Sequence, residues 1–277
     1  MTIKYFRSLW GMHLPTIEEN IIATREAGFD GIEYIALPDA AERRAFGDQV
    51  KANDLDFILQ LGTGAGTGPA IGPESPAEHL HTLESEFLLG LKLDPILVNC
   101  HSGRDIFSFD DNLKLVRKTE ELEKQHQVPV LLETHRGRAS STVPRTMELL
   151  QLVPSLKLTA DFSHWTCAHE SLLEDQQESM AEILPRVHHI HARVGNGQSP
   201  QIRDPRDLSH PADRLAFDAH LDWWKQIIND RRAAGDDTMT ITVEFGPPPY
   251  YQSEFSAEKL WQINCWMKDF LKQELTN

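Results

Sequence analysis

Cysteine is scarce in this sequence of 277 residues, and basic side chains are outnumbered by acidic ones. The three cysteines, Cys100, Cys167 and Cys265, are widely spaced and odd in number, which matches neither a disulfide framework nor a zinc-binding CxxC pair. Lysine and arginine total 27 against 42 aspartates and glutamates, for a formal net charge of −15. Because nucleic-acid-binding proteins usually present a basic face, we expect no nucleic-acid partner.

Long apolar runs are also missing. No stretch reaches the roughly 18 apolar residues of a membrane-spanning helix, and the start of the sequence lacks the basic and then apolar segments of a secretory signal. We therefore expect no membrane association and a reduced, cytoplasmic location. The glycine-rich segment 62–74 does not match the GxGxxG pattern of dinucleotide-binding sheets, since Thr67 stands where the third glycine would be.

What the sequence does contain is a regular alternation of strand-like and helix-like segments. The predicted strands are 3–10, 31–35, 56–61, 95–100, 129–133, 156–161, 187–194 and 239–245. The predicted helices are 16–28, 75–92, 109–126, 143–153, 170–184, 216–235 and 258–275. About eight βα units in one chain predict an α/β fold, a (β/α)₈ TIM barrel formed as a single domain over 1–277. An open doubly wound sheet is the alternative.

Two segments are longer than simple connections require. Residues 62–74 follow the third strand and residues 195–213 follow the seventh. In a barrel both would lie at the carboxyl end of the strands, where long loops serve as lids or substrate loops, or as mobile surface segments.

Polar side chains stand at the ends of five consecutive predicted strands. Side chains alternate along a strand with period two, and this parity turns the terminal polar residue of each strand toward the barrel axis. The five residues are His101, Glu133, Asp161, His191 and Glu244. They would meet at the face where barrel enzymes carry out their chemistry.

Three carboxylates at one place predict a bound cation. Without one they would repel each other and raise each other's pKa values. Oxygen donors with one imidazole suit one divalent ion, with Mn²⁺, Mg²⁺ or Co²⁺ favoured and Zn²⁺ as the remaining candidate.

The same strand ends resemble a known group of barrels. The segments GFDGIEY (28–34), LLETHRGR (131–138), LTADFSHW (158–165), HIHARV (189–194) and VEFGPP (243–248) are similar to successive motifs of the xylose-isomerase-like barrel superfamily, which holds sugar isomerases and epimerases and endonuclease IV. The resemblance spans nearly the whole chain.

Similarity to the ketose 3-epimerases of this superfamily implies specific roles. It implies that Glu133, Asp161, His191 and Glu244 are the metal ligands. It also implies that Glu133 and Glu244 exchange protons with the substrate and that His164 binds it. Those epimerases have an arginine a few residues after the histidine ligand, and here the nearest arginine is Arg193.

Further side chains near the strand ends are candidates for binding the substrate. These candidates are Trp10, His101, His135 and Arg193, with Arg136 and Arg138 as additional cations for a carboxylate or phosphate. Core packing is the commoner fate of a tryptophan such as Trp10, and each arginine is also compatible with a surface salt bridge. The tryptophan-rich helices, with Trp223, Trp224, Trp261 and Trp266, would pack on the barrel or form a homodimer interface.

The leading functional hypothesis is a metal-dependent sugar or sugar-phosphate isomerase or epimerase. It would transfer a proton next to a metal-bound carbonyl through an enediolate. The alternative is a dehydratase that expels a β-hydroxyl from a keto-sugar or inosose at the same site. An endonuclease IV-like phosphodiesterase ranks lower, because the histidine expected after the third strand and the DxH pair after the seventh have no match. A non-catalytic sugar-binding barrel ranks last.

Overall fold

Eight parallel strands close into a barrel in sequence order, with β1 paired to β8. The structure, a computed structural model, describes residues 1–64, 74–251 and 256–275. The strands are β1 (Thr2–Ser8), β2 (Gly31–Tyr34), β3 (Asp56–Gly62), β4 (Leu97–His101), β5 (Val130–Glu133), β6 (Lys157–Ala160), β7 (Val187–Ala192) and β8 (Thr238–Val243). The predicted (β/α)₈ barrel is confirmed, and a doubly wound open sheet is wrong because the sheet has no open edge.

Helices follow the strands around the outside of the barrel. Within the described residues they are α1 (Ile17–Glu26), α2 (Ala40–Ala52), α3 (Pro76–Gly90), α4 (Phe109–His126), α5 (Val143–Leu152), α6 (Phe162–His169), α7 (Gln177–Ile183), α8 (Pro211–Ala234) and α9 (Ala257–Leu275). The threonine cap expected at the first helix is confirmed: Thr16 and Glu19 form a reciprocal capping box. None of these helices combines the length and apolar content needed to cross a membrane.

The prediction of one helix over 170–184 is wrong. The chain forms α6 before this range and α7 within it, and the segment between them contains Glu170 and Leu173, both in the left-handed backbone region with φ near +52° and +61°. Such a conformation ends an α-helix. Helix α2 was not predicted, because Phe46 and Val50 are its only buried large apolar side chains.

The interior of the barrel changes from apolar to polar along the strands. Near the amino ends, a cluster of four side chains fills the axis: Phe6, Ile58, Leu97 and Leu131. Two residues further along β4 and β5, on the same face, lie Asn99 and Glu133. A layer of apolar side chains therefore forms the floor beneath the polar strand ends.

The loop between β7 and α8 is anchored to the carboxyl end of the barrel. Gln201 accepts a hydrogen bond from the Gly246 N–H at 2.7 Å and donates one to the Gly246 carbonyl at 3.2 Å. This loop ends where α8 begins at Pro211, close to the predicted limit. Most of the predicted 62–74 loop, residues 65–73, lies outside the described residues.

Candidate functional site

The five predicted strand-end residues meet at the carboxyl end of the barrel. His101 and Glu133 are the last residues of β4 and β5, His191 is the next-to-last residue of β7, and Asp161 and Glu244 directly follow β6 and β8. All five side chains are buried. The period-two parity of the strands therefore placed each of them correctly toward the axis.

Three of these residues have the geometry of a metal centre. One oxygen each of Glu133 and Asp161 and one nitrogen of His191 all lie within 4.8 Å of one another. The His191 Nδ1 atom lies 2.9 Å from Glu244 Oε2 and 3.8 Å from Glu133 Oε2. This nitrogen is buried and makes no hydrogen bond with the described residues. A buried nitrogen facing carboxylates without a hydrogen bond fits a divalent cation bound between them.

Two of the three carboxylates have raised pKa values, as the sequence predicted, and the third does not. Burial, reinforced by the charges of Glu244 and Asp161, raises the pKa of Glu133 to about 8. Burial likewise raises the pKa of Asp161. Burial acts in the same direction on Glu244, but its pKa is lowered because the charge of His191 lies beside it. A bound cation would favour the ionised form of all three carboxylates.

Glu33 on β2 belongs to the site but was not predicted. Its buried carboxylate accepts hydrogen bonds from Asn99 Nδ2 at 2.9 Å and from His191 Nε2 at 2.9 Å, and contacts His189 Nε2 at 3.2 Å. Burial opposes ionisation, yet the charge of His191 and the hydrogen bonds from both histidines hold the pKa of Glu33 well below its usual range.

This carboxylate orients the His191 imidazole. Because an ionised Glu33 only accepts hydrogen bonds, the Nε2 atom of His191 carries the proton that it donates, and Nδ1 faces Glu133 and Glu244. The parity that placed the other strand ends also identifies Glu33, since Ile32 faces the helices and Glu33 faces the axis.

Arg193 lies among the acidic residues. The resemblance to the ketose 3-epimerases had left the role of this arginine open. Its guanidinium donates to Asp161 Oδ2 and to Ser163 Oγ, and lies 3.7 Å from Glu244 Oε2. The ion pair with Asp161 and the charge of Glu244 outweigh burial and raise the pKa of Arg193. Arg193 is therefore a permanent cation that partly neutralises the carboxylates.

Above these residues opens a cavity of about 720 Å³. Glu133 and Glu244 reach its wall, and so do four of the predicted substrate-binding residues: Trp10, His101, His135 and Arg193. His164 lies behind His135, with 3.7 Å between the ring centroids. A cavity of this size accommodates a small organic substrate.

Three imidazoles line up beside the carboxylates. The His101 and His135 rings are 5.4 Å apart between centroids, and His164 follows behind His135. Burial lowers the pKa of His101 to about 3, and also lowers the pKa values of His135 and His164. These histidines are neutral near pH 7. His135 Nδ1 is already hydrogen-bonded to the Arg136 carbonyl and His164 Nε2 to Arg193 Nη2, so the His101 ring and the other nitrogen of His135 are left for substrate hydroxyls. Gly62 leaves room for this row, because a Cβ there would lie 2.8 Å from the His101 ring.

An aromatic pair forms another part of the cavity wall. Trp10 and Tyr250 meet edge to face at 5.0 Å, and the Arg193 guanidinium lies 4.7 Å from the Tyr250 ring centroid. The Trp10 ring packs directly on Gly246, where a Cβ would come within 2.1 Å of it. Trp10 thus contributes to the cavity wall, and the glycine of the VEFGPP segment provides the space for it.

A sequence profile of the xylose isomerase-like TIM barrel family matches residues 21–244. The chain belongs to this family.

One curated relative is a dehydratase. The 3-dehydroshikimate dehydratase of Bacillus anthracis is 38% identical over 97 residues, which are 34% of this chain and 33% of that protein. The chain thus aligns with about a third of the length of that curated relative.

Two solved structures have the same fold over nearly their full lengths. The probable 3-DHS dehydratase of Bacillus anthracis is 19% identical, with a TM-score of 0.63 over 96% of this chain and 98% of that one. A D-psicose 3-epimerase of Clostridium cellulolyticum H10 is 14% identical, with a TM-score of 0.63 over 98% and 99%. At these identities the structural likeness establishes the fold.

Proposed function

We propose that the protein is a metal-dependent isomerase or epimerase that acts on a sugar or sugar phosphate. The observation that supports it is the position of two carboxylates. Glu133 and Glu244 both reach the cavity wall, and between them lies the buried Nδ1 atom of His191. Two carboxylates that reach the same substrate can remove a proton from one carbon and deliver one to the product.

The proposed ligands are Glu133, Asp161, His191 and Glu244, for one divalent ion. Such an ion, when bound, would polarise a substrate carbonyl and acidify the neighbouring C–H. Glu133 or Glu244 would take that proton to give an enediolate, and the other would support reprotonation. His101 and His135 would hydrogen-bond substrate hydroxyls from the cavity wall, since both rings are neutral near pH 7.

Dehydration of a keto-sugar or related ring is a second candidate. It is favoured by the 38% identity to a 3-dehydroshikimate dehydratase over 97 residues. Both reactions begin with removal of a proton beside a carbonyl. They differ in whether the resulting enediolate is protonated again or loses a neighbouring hydroxyl as water.

The experiment is turnover in D₂O by the Mn²⁺-loaded protein, with D-fructose, D-psicose, a ketose phosphate and 3-dehydroshikimate as substrates, followed by NMR and ultraviolet absorbance. An isomerase or epimerase gives a rearranged sugar with deuterium on the carbon next to the product's carbonyl. A dehydratase gives a product with a new double bond and a rise in absorbance. Glu133→Gln is expected to stop either reaction, and Glu26→Gln, the same change at an exposed position, to leave it unchanged. Turnover that persists in Glu133→Gln would contradict the proposed mechanism.

A further inference from the structure

Arg138 is a buried guanidinium on the cavity wall without an anionic partner in the described part of the chain. Its side chain is 3% exposed. Nη1 donates to the Thr63 carbonyl oxygen, and Nε makes no hydrogen bond. No described carboxylate lies within the 4.0 Å of an ion pair. The undescribed residues 65–73, which follow Thr63, contain no aspartate or glutamate.

A buried charge without a counter-charge is costly, because the interior solvates it poorly. Burial accordingly lowers the pKa of Arg138, and the largest opposing influence is the charge of Glu133, which lies beyond ion-pair distance. Glu133 is itself one of the proposed metal ligands. The described residues thus supply no carboxylate for this guanidinium, although acidic residues outnumber basic ones 42 to 27 in the sequence.

The surroundings of Arg138 are rich in hydrogen-bond donors. Its charge acts on the neighbouring rings of His101 and His135. Arg136 also lines the cavity, 5.4 Å from the Tyr250 ring centroid. This side of the cavity therefore holds two guanidiniums and two neutral imidazoles. A planar guanidinium matches the paired oxygens of carboxylate and phosphate groups.

We propose that the substrate carries an oxyanion substituent, a carboxylate or a phosphate, and that Arg138 binds it beside the metal-binding carboxylates. The proposal rests on the proposed function, whose substrate class it narrows from sugars in general to acidic sugars or acidic ring polyols. Arg138 then selects the substrate, while Glu133 and Glu244 act on it.

The test compares binding of three probes by calorimetry to the Mn²⁺-loaded and the metal-free protein. The probes are 3-dehydroshikimate as a carboxylate, D-fructose 6-phosphate as a phosphate, and D-fructose as a neutral sugar. One anionic probe is expected to bind at least about 10-fold more tightly than D-fructose, the scale of one charge-assisted hydrogen bond. Preference for one of the two anionic probes identifies the carboxylate or the phosphate as the group bound.

Arg138→Gln is expected to abolish that preference while leaving D-fructose binding unchanged. Arg44→Gln, the same change at an exposed arginine of α2, is expected to keep it. Equal affinity of the wild type for all three probes would overturn the proposal. A loss of affinity in Arg138→Gln that is the same for the neutral and the anionic probes would also overturn the proposal.

Thermal unfolding separates ligand binding from a structural role. Because Arg138 has no anionic partner, the ligand-free Arg138→Gln protein is expected to melt at the same temperature as the wild type or higher. The preferred anion should raise the melting temperature of the wild type only. A large loss of stability in ligand-free Arg138→Gln would show a structural role and overturn the proposal. Anion binding that depends on Arg138, in a protein without turnover, would support this inference and contradict the proposed function alone.

Discussion

Replacing Glu33 by glutamine tests the buried network that orients His191. The glutamine is nearly isosteric, but it removes the negative charge and puts an amide NH₂ group where an oxygen accepted hydrogen bonds. In the wild type that carboxylate accepts from Asn99 Nδ2 and from His191 Nε2, each at 2.9 Å, and is fully buried. In the variant, the new NH₂ group can therefore face the N–H donors of Asn99 and His191, and the His191 imidazolium loses its counter-charge.

The expected loss of stability follows from this geometry. Removing one partner of a buried charge pair costs about 3–5 kcal/mol in the free energy of unfolding. With roughly 2–4 °C for each kcal/mol in a domain of comparable size, the melting temperature should fall by about 10 °C. Since Glu33 also orients His191, one of the proposed metal ligands, affinity for Mn²⁺ should fall by about 10- to 100-fold.

The assay is guanidinium chloride unfolding of the metal-free protein, followed by Mn²⁺ titration calorimetry of the folded protein. Glu26→Gln makes the same chemical change on the exposed surface of α1, and its unfolding free energy should stay within about 0.5 kcal/mol of the wild type. A Glu33→Gln protein as stable as this control, with unchanged Mn²⁺ affinity, would refute the assignment of Glu33 as the residue that positions His191.

Other predictions concern the core, the pH dependence and turnover. Trp224→Ala in α8, at a buried side chain, should lower the unfolding free energy by about 3–5 kcal/mol, whereas Leu215→Ala on the exposed side of the same helix should change it by less than about 0.5 kcal/mol. Burial lowers the pKa of His220 to about 4 from an ordinary 6.5, so the unfolded chain takes up this proton first and stability falls as pH drops from 6.5 toward 4. His220→Gln should remove about 2 kcal/mol of that loss between pH 7 and pH 4.5, measured by urea unfolding, and equal losses in both proteins would contradict it. Glu244→Gln should reduce steady-state turnover by at least about 100-fold and weaken Mn²⁺ binding, and an active, metal-replete variant would contradict its role.

The fold could be predicted because the signals that define it are local. Strand-like segments bounded by capped helices, such as the one that begins after Thr16, carry period and stop signals in the sequence itself. Helix α2 is capped by Asp39, but its apolar period is weak, since few of its side chains enter the core. The left-handed residues Glu170 and Leu173 are not glycines, so the break between α6 and α7 leaves no clear mark in the sequence.

The strand-end residues were predictable for a similar reason. Parity along each strand and closure of the barrel together bring Glu133, Asp161 and His191 to one place. The partners of Arg193 and Arg138 were not predictable, because both side chains leave the strand ends and their contacts depend on the three-dimensional course of the loops. Arg193 and its partner Asp161 are 32 residues apart in the sequence, and Arg138 and its partner Thr63 are 75 residues apart.

Metal content, measured by mass spectrometry on the wild type beside Asp161→Ala, tests the central claim most directly. Asp161 contributes one of the three ligand atoms that lie within 4.8 Å of one another. We expect about one divalent ion per wild-type chain and a loss of that ion in the variant. About three zinc ions per chain would contradict the single-ion centre and favour phosphodiester chemistry. No metal in either protein, even after incubation with Mn²⁺, would contradict the metal centre itself.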